Sequence, residues 1–366
     1  MSDTTEDSLT LTSSRRSHPL LMERIMSRSI QIERSSRSQP CELCSGHEFD
    51  IVSRIDRRSD PLSTVACRSC GLVSHESIPS DADVEQYYAH DYRNDYHGEH
   101  TPSSHRILRA WEGAQWLLNL LRPYVRQGSR VFEVGAGIGF NVKSFEADGF
   151  QAEGIEPGQG FQKYSQDVLR ANVKCLSLFD MSPTPQYDFI LLVHVIEHFN
   201  SPKKALEHIR HLLRPDGRLY VECPNLAEPH AAPRKLFHYA HIYNFTPDTL
   251  VAMAEAAGFK TVARLTERHG KALRYVFEKS EPKCEVSSAS YGNTIASLRR
   301  YNDFTYHARP RYLWQRLKRD VRFASNHILP TLRVHRILNR LQQTSGGGTA
   351  PSDTISAGSA TYVRAT

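Results

Sequence analysis

Four of the seven cysteines in this 366-residue chain stand in two pairs, Cys41-x-x-Cys44 and Cys67-x-x-Cys70, with 22 residues between the pairs. Each pair can set two sulfurs on one tight knuckle, and two knuckles complete a tetrahedron around a zinc ion. Gly46 and Gly71 follow the pairs and ease the turns. Two disulfides would need an oxidising compartment, to which nothing in the chain points. A redox pair is expected at a strand-to-helix junction, which is absent here. A closed four-thiolate site has no open ligand position, so its expected role is to hold a small lobe together. His47 and His75 lie nearby and are expected to be bystanders, and Cys175, Cys223 and Cys284 to be plain thiols.

A second group can cradle a ligand. Val131-Phe-Glu133-Val runs as a short apolar strand into Gly135-Ala-Gly137-Ile-Gly139, and a helix-like segment follows from Phe140 to Asp148. Glycine is needed where backbone must turn sharply and lie against a ligand with no Cβ between them. Glu156 stands 21 residues after Gly135, at the end of a second apolar strand from Gln151 to Ile155. That is about the ~20-residue offset at which a carboxylate meets ribose hydroxyls in a Rossmann-like unit. An ordinary strand-to-helix turn would account for the glycines alone; Glu133 within the strand and Glu156 beyond it favour a ligand site.

A third group can move protons. His194-Val-Ile-Glu197-His198 spells H-x-x-E-H, a metalloprotease pattern. That chemistry needs a helix, whereas here the motif follows a buried strand and is cut off by Asn200-Ser201-Pro202, so proteolysis is not expected. His198 is left with two readings, a catalytic group or a hydrogen bond within the turn.

The elements that must position these groups alternate. Strands are expected at 130–134, 151–156, 173–176, 187–193 and 218–222, with two more near 261–265 and 272–278. The stretch 187–193 is nearly all apolar, as a buried parallel strand should be. Helices are expected over 160–170, from Ser201-Pro202 to Leu213, and from Thr246-Pro247 to Gly258, the last two opened by an N-cap and a proline. The alternation predicts an open α/β sheet with ligands at the carboxyl ends of its strands. Before it, Phe49–Ile55 alternates as a strand. Ile107, Leu108, Trp111, Ala114, Leu117, Leu118 and Leu121 recur at helical spacing over Ser103–Leu121, which Arg122-Pro123 ends. The tyrosine-rich stretch from Asp83 to Tyr96 reads as a connector packed on the core or as a lid over the site.

The chain therefore divides into a disordered tail (1–38), a zinc ribbon (39–76), a helical connector or lid (77–126), the α/β core (127–280), a basic helical extension (281–342) and a second tail (343–366). The net charge of +6 is mild. No run of 18 apolar residues suggests a transmembrane helix, and Met1–Thr10 has no apolar segment of a secretory signal, so a cytoplasmic protein is expected. Between Arg311 and Arg340 eight basic residues face Asp320 alone. The apolar residues interspersed there, broken at Pro330, predict two helices docked on the core, with a peripheral contact to the inner face of the membrane as the alternative.

Three blocks carry a family resemblance: Val131 to Gly139, Tyr187 to His198, and Leu212 to Asn225. Their order and spacing resemble class I S-adenosylmethionine (SAM) dependent methyltransferases of types 11, 12 and 23, a group that includes ubiquinone-pathway O-methyltransferases. The resemblance implies a Rossmann-like, doubly wound, seven-stranded methyltransferase sheet and SAM as cofactor. It implies that Gly135, Gly137 and Gly139, with Glu133, hold the methionine end, that Glu156 takes the ribose hydroxyls, that Leu178 and Phe179 lie near the adenine, and that His194 lies near the sulfonium. The cysteine pairs and the tyrosine-rich segment also resemble the zinc-containing sugar C-methyltransferases. Those enzymes carry a Tyr-His-Glu-His block with acid–base roles after strand five; the nearest match here is His238-Tyr239-Ala240-His241, with Ala240 in place of the glutamate. Removing a C–H proton needs a strong base, whereas a hydroxyl oxygen attacking a sulfonium needs chiefly alignment and one histidine to take its proton. O-methylation of a small-molecule, glycan or sugar-nucleotide acceptor is therefore expected over C-methylation, with His241 as base and His198 as the second catalytic candidate. The alternatives are a nucleic-acid methyltransferase and a non-catalytic binding protein. The basic segment lacks the interleaved aromatics of a stacking platform, which counts against nucleic acid.

Overall fold

The computed structural model describes residues 32–87, 102–310, 312–314, 316–318 and 330–344. In chain order, an antiparallel lobe comes first: β1 (Glu33–Arg34), β2 (Phe49–Ile55), β3 (Pro61–Cys67) and β4 (Val73–His75), each pairing with the next. Helices α1 (Asp81–Gln86) and α2 (Ser104–Leu121) follow. The core then runs β5 (Arg130–Val134), α3 (Phe140–Ala147), β6 (Gln151–Ile155), α4 (Gln159–Asp167), β7 (Val173–Lys174), β8 (Tyr187–Val193), α5 (Pro202–Leu212) and β9 (Leu213–Pro224). After it come β10 (Tyr243–Asn244), α6 (Pro247–Ala256), β11 (Phe259–Arg264), β12 (Ala272–Lys279), α7 (Ser290–Arg299), α8 (Asp303–His307) and α9 (Pro330–Thr344).

The seven-stranded sheet has the order β11-β12-β9-β8-β5-β6-β7. The pairs from β9 to β7 are parallel, and β12 is antiparallel to both its neighbours. Apolar side chains cover both faces. One face holds α2, α3, α4 and α9, through Leu117, Phe145, Phe161 and Val334; the other holds α5 and α6, through Leu206, Ile209, Leu250 and Met253. The order reverses between β5 and β8, and there the loops open at the carboxyl ends of the strands. β9 is longer than its sequence suggests. Tyr187 pairs with Leu213 and Phe189 with Arg218, so Arg214–Gly217 bulge out of an otherwise continuous strand.

The ribbon is built into the core. β10, which lies beyond β9, pairs antiparallel with β4 and adds a fifth strand to the ribbon sheet. Ile242, Tyr243 and Phe245 share one apolar cluster with Cys41, Leu43, Phe49 and Val65. Ser201 caps α5 by accepting from Lys204 N, and its hydroxyl donates to Glu42 of the first knuckle at 2.5 Å. On the far side, Ile295 and Leu298 of α7 pack on Val52, Ala66 and Val73. The ribbon also starts before residue 39, because β1 already pairs with β2.

The basic extension divides. α9 docks on the face formed by α2 and α3, burying Val334 and Leu341 while Arg336 and Arg340 stay exposed. Leu313, Trp314 and Leu317 are more than half exposed. Of the proposed lid, Tyr87 is buried, its ring T-shaped to that of Tyr239 with centroids 4.9 Å apart; residues 88–96 lie outside the described residues, as do most of the two tails. No helix among the described residues is long and apolar enough to cross a membrane.

Candidate active site at the strand carboxyl ends

The four paired sulfurs converge. Cys41 Sγ lies 3.5 Å from Cys70 Sγ, Cys44 Sγ lies 3.5 Å from Cys67 Sγ, and all four fall within 4.8 Å of one another. A zinc ion at about 2.3 Å from each sulfur needs tetrahedral edges of about 3.8 Å, so the donor set fits zinc. All the cysteines are free thiols in the structure. Each knuckle closes on a left-handed residue directly after its second cysteine: Ser45 (φ 57°) and Gly71 (φ 75°). Gly46 therefore serves a different purpose from the expected turn. A Cβ there would come within 2.8 Å of Ser69 Oγ and 3.3 Å of Cys44 Sγ. His47 is exposed and His75 is buried, and neither joins the thiolate group.

The glycine turn lies between β5 and α3, and all three glycines are left-handed. Their surroundings differ. A Cβ on Gly135 would meet Val195 at 2.6 Å and one on Gly139 would meet Ser165 at 2.8 Å, whereas one on Gly137 would meet nothing within 4 Å. The first and last make room for protein; the middle one faces open space, as backbone lying against a ligand must. Glu156, at the end of β6, accepts from Gly137 N and Gly158 N, each at 2.9 Å. A carboxylate has about four acceptor sites, so ribose hydroxyls can still be bound. Buried Glu133 accepts from Asn141 Nδ2 at 2.6 Å and so ties β5 to α3. The cradle, on these residues, fits SAM. Leu178 is buried in the core, and Phe179 packs edge-on to Phe199 and His208 with Lys204 over its ring.

Beside the cradle lies a cluster of histidines and carboxylates. His194 follows β8 in a left-handed conformation (φ 55°), which costs about 1 kcal/mol outside glycine and aims its ring across the sheet end. Its Nδ1 lies 3.3 Å from Glu197 Oε1 and its Nε2 3.4 Å from Glu222 Oε1. Burial pushes His194 down, but hydrogen bonds to the two carboxylates and their charge outweigh it, and the pKa is pushed up to about 9. Glu222 also pairs with Arg274 at 3.2 Å and accepts from Tyr220 Oη at 2.8 Å. H-x-x-E-H closes as one 3-10 turn, Ile196–His198, so His194 and His198 do not share a helix face.

The other wall comes from the long loop between β9 and β10. Asn225 bridges to Phe245, and its side chain holds Gly270 O and Ala227 N, which turns the loop back over the site. His198 Nδ1 donates to Ala240 O at 2.6 Å. His241 Nε2 lies 3.9 Å from Glu197 Oε1, and the His238 ring centroid is 3.7 Å from that of His241. Burial pushes His241 well below the ordinary histidine value, and His238, His198 and His230 add to the shift because protons on neighbouring rings would repel one another. Burial, Lys271 and other cations push His230 down to about 4. His241 is therefore a neutral imidazole at pH 7.

His241 and His198 are thus brought together, and Val195 joins them to the glycine cradle. Glu222 and His230 belong to the same cluster and escaped the sequence reading, while His238 entered it only as the first residue of the block that ends in His241. A carboxylate inside the apolar strand Leu219-Tyr-Val-Glu222-Cys, and three histidines within twelve residues from 230 to 241, were the available signals.

The profile of a methyltransferase domain family matches residues 104–264. An uncharacterised protein of Mycobacterium tuberculosis is 29% identical over 28% of this chain and 38% of its own. The tRNA U34 carboxymethyltransferase of Idiomarina loihiensis is 26% identical over 30% of this chain and 38% of its own. The ubiquinone biosynthesis O-methyltransferase of Rhodopseudomonas palustris is 27% identical over 27% of this chain and 41% of its own. The matched stretch spans about two fifths of the length of these relatives. Among solved structures, the 1,6-didemethyltoxoflavin-N1-methyltransferase of Burkholderia thailandensis, with bound S-adenosylhomocysteine, is similar over 57% of this chain and 96% of its own, at 17% identity and a TM-score of 0.43. Residues 104–264 thus match a methyltransferase domain family, and they carry most of the seven-stranded α/β sheet and the glycine turn described above.

Proposed function

We propose that the protein transfers the methyl group of SAM to a hydroxyl oxygen of a small-molecule or sugar-linked acceptor. One arrangement carries this reading: His241, neutral at pH 7, lies 3.9 Å from Glu197 in the turn that Val195 opens, and Val195 itself lies against Gly135 of the glycine cradle. Gly135, Gly137, Gly139 and Glu156 would hold SAM, with Glu133 bracing the turn and Leu178 and Phe179 toward the adenine. When bound, SAM supplies an electrophilic methyl sulfonium. His241 takes the acceptor's hydroxyl proton, which contributes typically 10²–10⁴-fold to such steps. His198, anchored on Ala240 O, fixes that side of the pocket. His194, cationic between Glu197 and Glu222, keeps the two carboxylates from repelling each other at the mouth of the cradle.

Ala240 in place of a glutamate supports oxygen over carbon as the acceptor atom, since a carbanion needs the stronger base. A cytoplasmic protein in peripheral contact with anionic membrane belongs to the same proposal. Its support is exposed Phe304, Leu313, Trp314 and Leu317 near Arg309, Arg316 and Lys318, since α9 spends its own apolar face on the core. Calorimetry with SAM, then methyl-labelled SAM with panels of hydroxylated acceptors, tests the reading. Well-folded protein that binds neither SAM nor its demethylated product would overturn it.

A further inference from the structure

We propose that Glu197, His198 and His241 form a second metal site, open and distinct from the four-thiolate site, that takes a first-row divalent cation. One ligand atom from each residue lies within 4.8 Å of the others. Glu197 Oε1 and His241 Nε2 are 3.9 Å apart. Tetrahedral edges around a cation held at about 2.1 Å are roughly 3.4 Å, so closing the site needs a shift of about 0.5 Å between Glu197 and His241 and at most about 1.4 Å between any pair.

Two further observations point to a ligand. Glu197 is 1% exposed, and its Oε2 has no hydrogen-bond partner among the described residues; the same holds for His241 Nδ1. A buried carboxylate oxygen without a partner is costly, and a cation removes that cost. Secondly, His198 already has the orientation of a ligand histidine. Its Nδ1–H donates to Ala240 O at 2.6 Å, which fixes the ring's tautomer and orientation. Metal-bound histidines almost always donate their other ring nitrogen in this way.

The donor set sets the chemistry. Two imidazoles and one carboxylate suit zinc, iron(II), cobalt(II) or manganese(II), whereas magnesium and calcium prefer oxygen alone. Three protein ligands leave at least one position for an exchangeable oxygen. On the methyltransferase reading, that position would take the acceptor's hydroxyl and lower its pKa, so that its proton leaves to solvent. The cation, with His241 as ligand, then replaces His241 as the group that assists proton loss, and the acceptor class is one whose reacting oxygen can bind a metal.

Tag-free, full-length protein is depleted of metal and titrated with cobalt(II), a spectroscopic stand-in for zinc. Two equivalents are expected. The first gives the thiolate-to-cobalt charge-transfer band of the cysteine site, and the second gives weak d–d bands without thiolate charge transfer. Glu197→Gln and His241→Ala should each abolish the second while keeping the first, which also reports that the ribbon is folded. One equivalent in the wild type, or two in both variants, overturns the proposal. The count needs no cofactor, so its failure and that of the methyltransferase reading are separable.

Discussion

The cofactor cradle and the histidine pocket lie side by side but are built in opposite ways. The cradle comes from one run of sequence, Arg130 to Gly158, whose strand, turn, helix and second strand place Gly137 and Glu156 within a hydrogen bond of each other. The pocket comes from four places: β8 with its 3-10 turn, Glu222 on β9, the loop over His230–His241, and β4, whose His75 N donates to Ile242 O. The ribbon supports the second and hardly touches the first. A local site is robust to distant change; an assembled one depends on every element that converges on it.

The largest expected effect comes from breaking that dependence. Cys67→Ser, or removal of zinc by a strong chelator, should unfold the ribbon, because apparent binding free energy at structural zinc sites is on the order of 10 kcal/mol. With it should go the β4–β10 pairing and methyl transfer, while the cradle, on β5 and β6, keeps its affinity for SAM. Thermal unfolding, elemental analysis and calorimetry on the same sample check this. A metal-free protein with full turnover would contradict both the zinc assignment and the division into two regions.

His241→Ala separates the regions more gently. Turnover should fall about 10²-fold, with SAM affinity unchanged, if proton removal is the lost function. Turnover at the wild-type level would return the residue to a structural role.

The two regions were unequally legible in the sequence, and chain separation is the reason. The glycine turn, Glu133, Glu156 and both cysteine pairs are short-range patterns, and each lies in the structure on the expected strand end or knuckle. The N-caps at Ser201-Pro202 and Thr246-Pro247 were legible for the same reason, because a cap is a contact over three residues. The pocket was only partly visible. His241 was found through a resemblance, in a block that begins at His238, whereas Glu222 and His230 required knowing that a loop folds back and joins a strand about 170 residues earlier in the chain. Backbone detail was also missed where a side chain overrode propensity: Ser45, not Gly46, takes the left-handed position, because Gly46 is needed for lack of space.

On the cradle side, Glu156→Ala should weaken SAM binding by about 1–3 kcal/mol through loss of charge-assisted hydrogen bonds. Part of that cost is release of Gly137 N and Gly158 N, which the carboxylate now holds. Glu156→Gln should recover a portion, since the amide oxygen can still accept. Turnover at saturating SAM should move little. A variant with normal affinity and lost turnover would place Glu156 on the acceptor side and break the comparison.

The smallest expected effect lies outside both regions. Residues 304–318 carry four large apolar side chains, each more than half exposed, beside Arg309, Arg316 and Lys318. Such a mixture suits the headgroup layer of an anionic membrane, where each basic residue contributes about 1 kcal/mol at low salt and less as salt screens it. Co-sedimentation with vesicles of anionic lipid should therefore be measurable at low salt and weak at high salt. Trp314→Ala with Leu317→Ala should reduce it, and SAM affinity should stay as it is. The docked α9 separates the interpretations. If binding survives the double substitution but is lost on deleting 330–344, the apolar face of that helix must leave α2 and α3 to reach the lipid. Absence of binding at low salt would make the exposed 304–318 face a surface for something other than lipid.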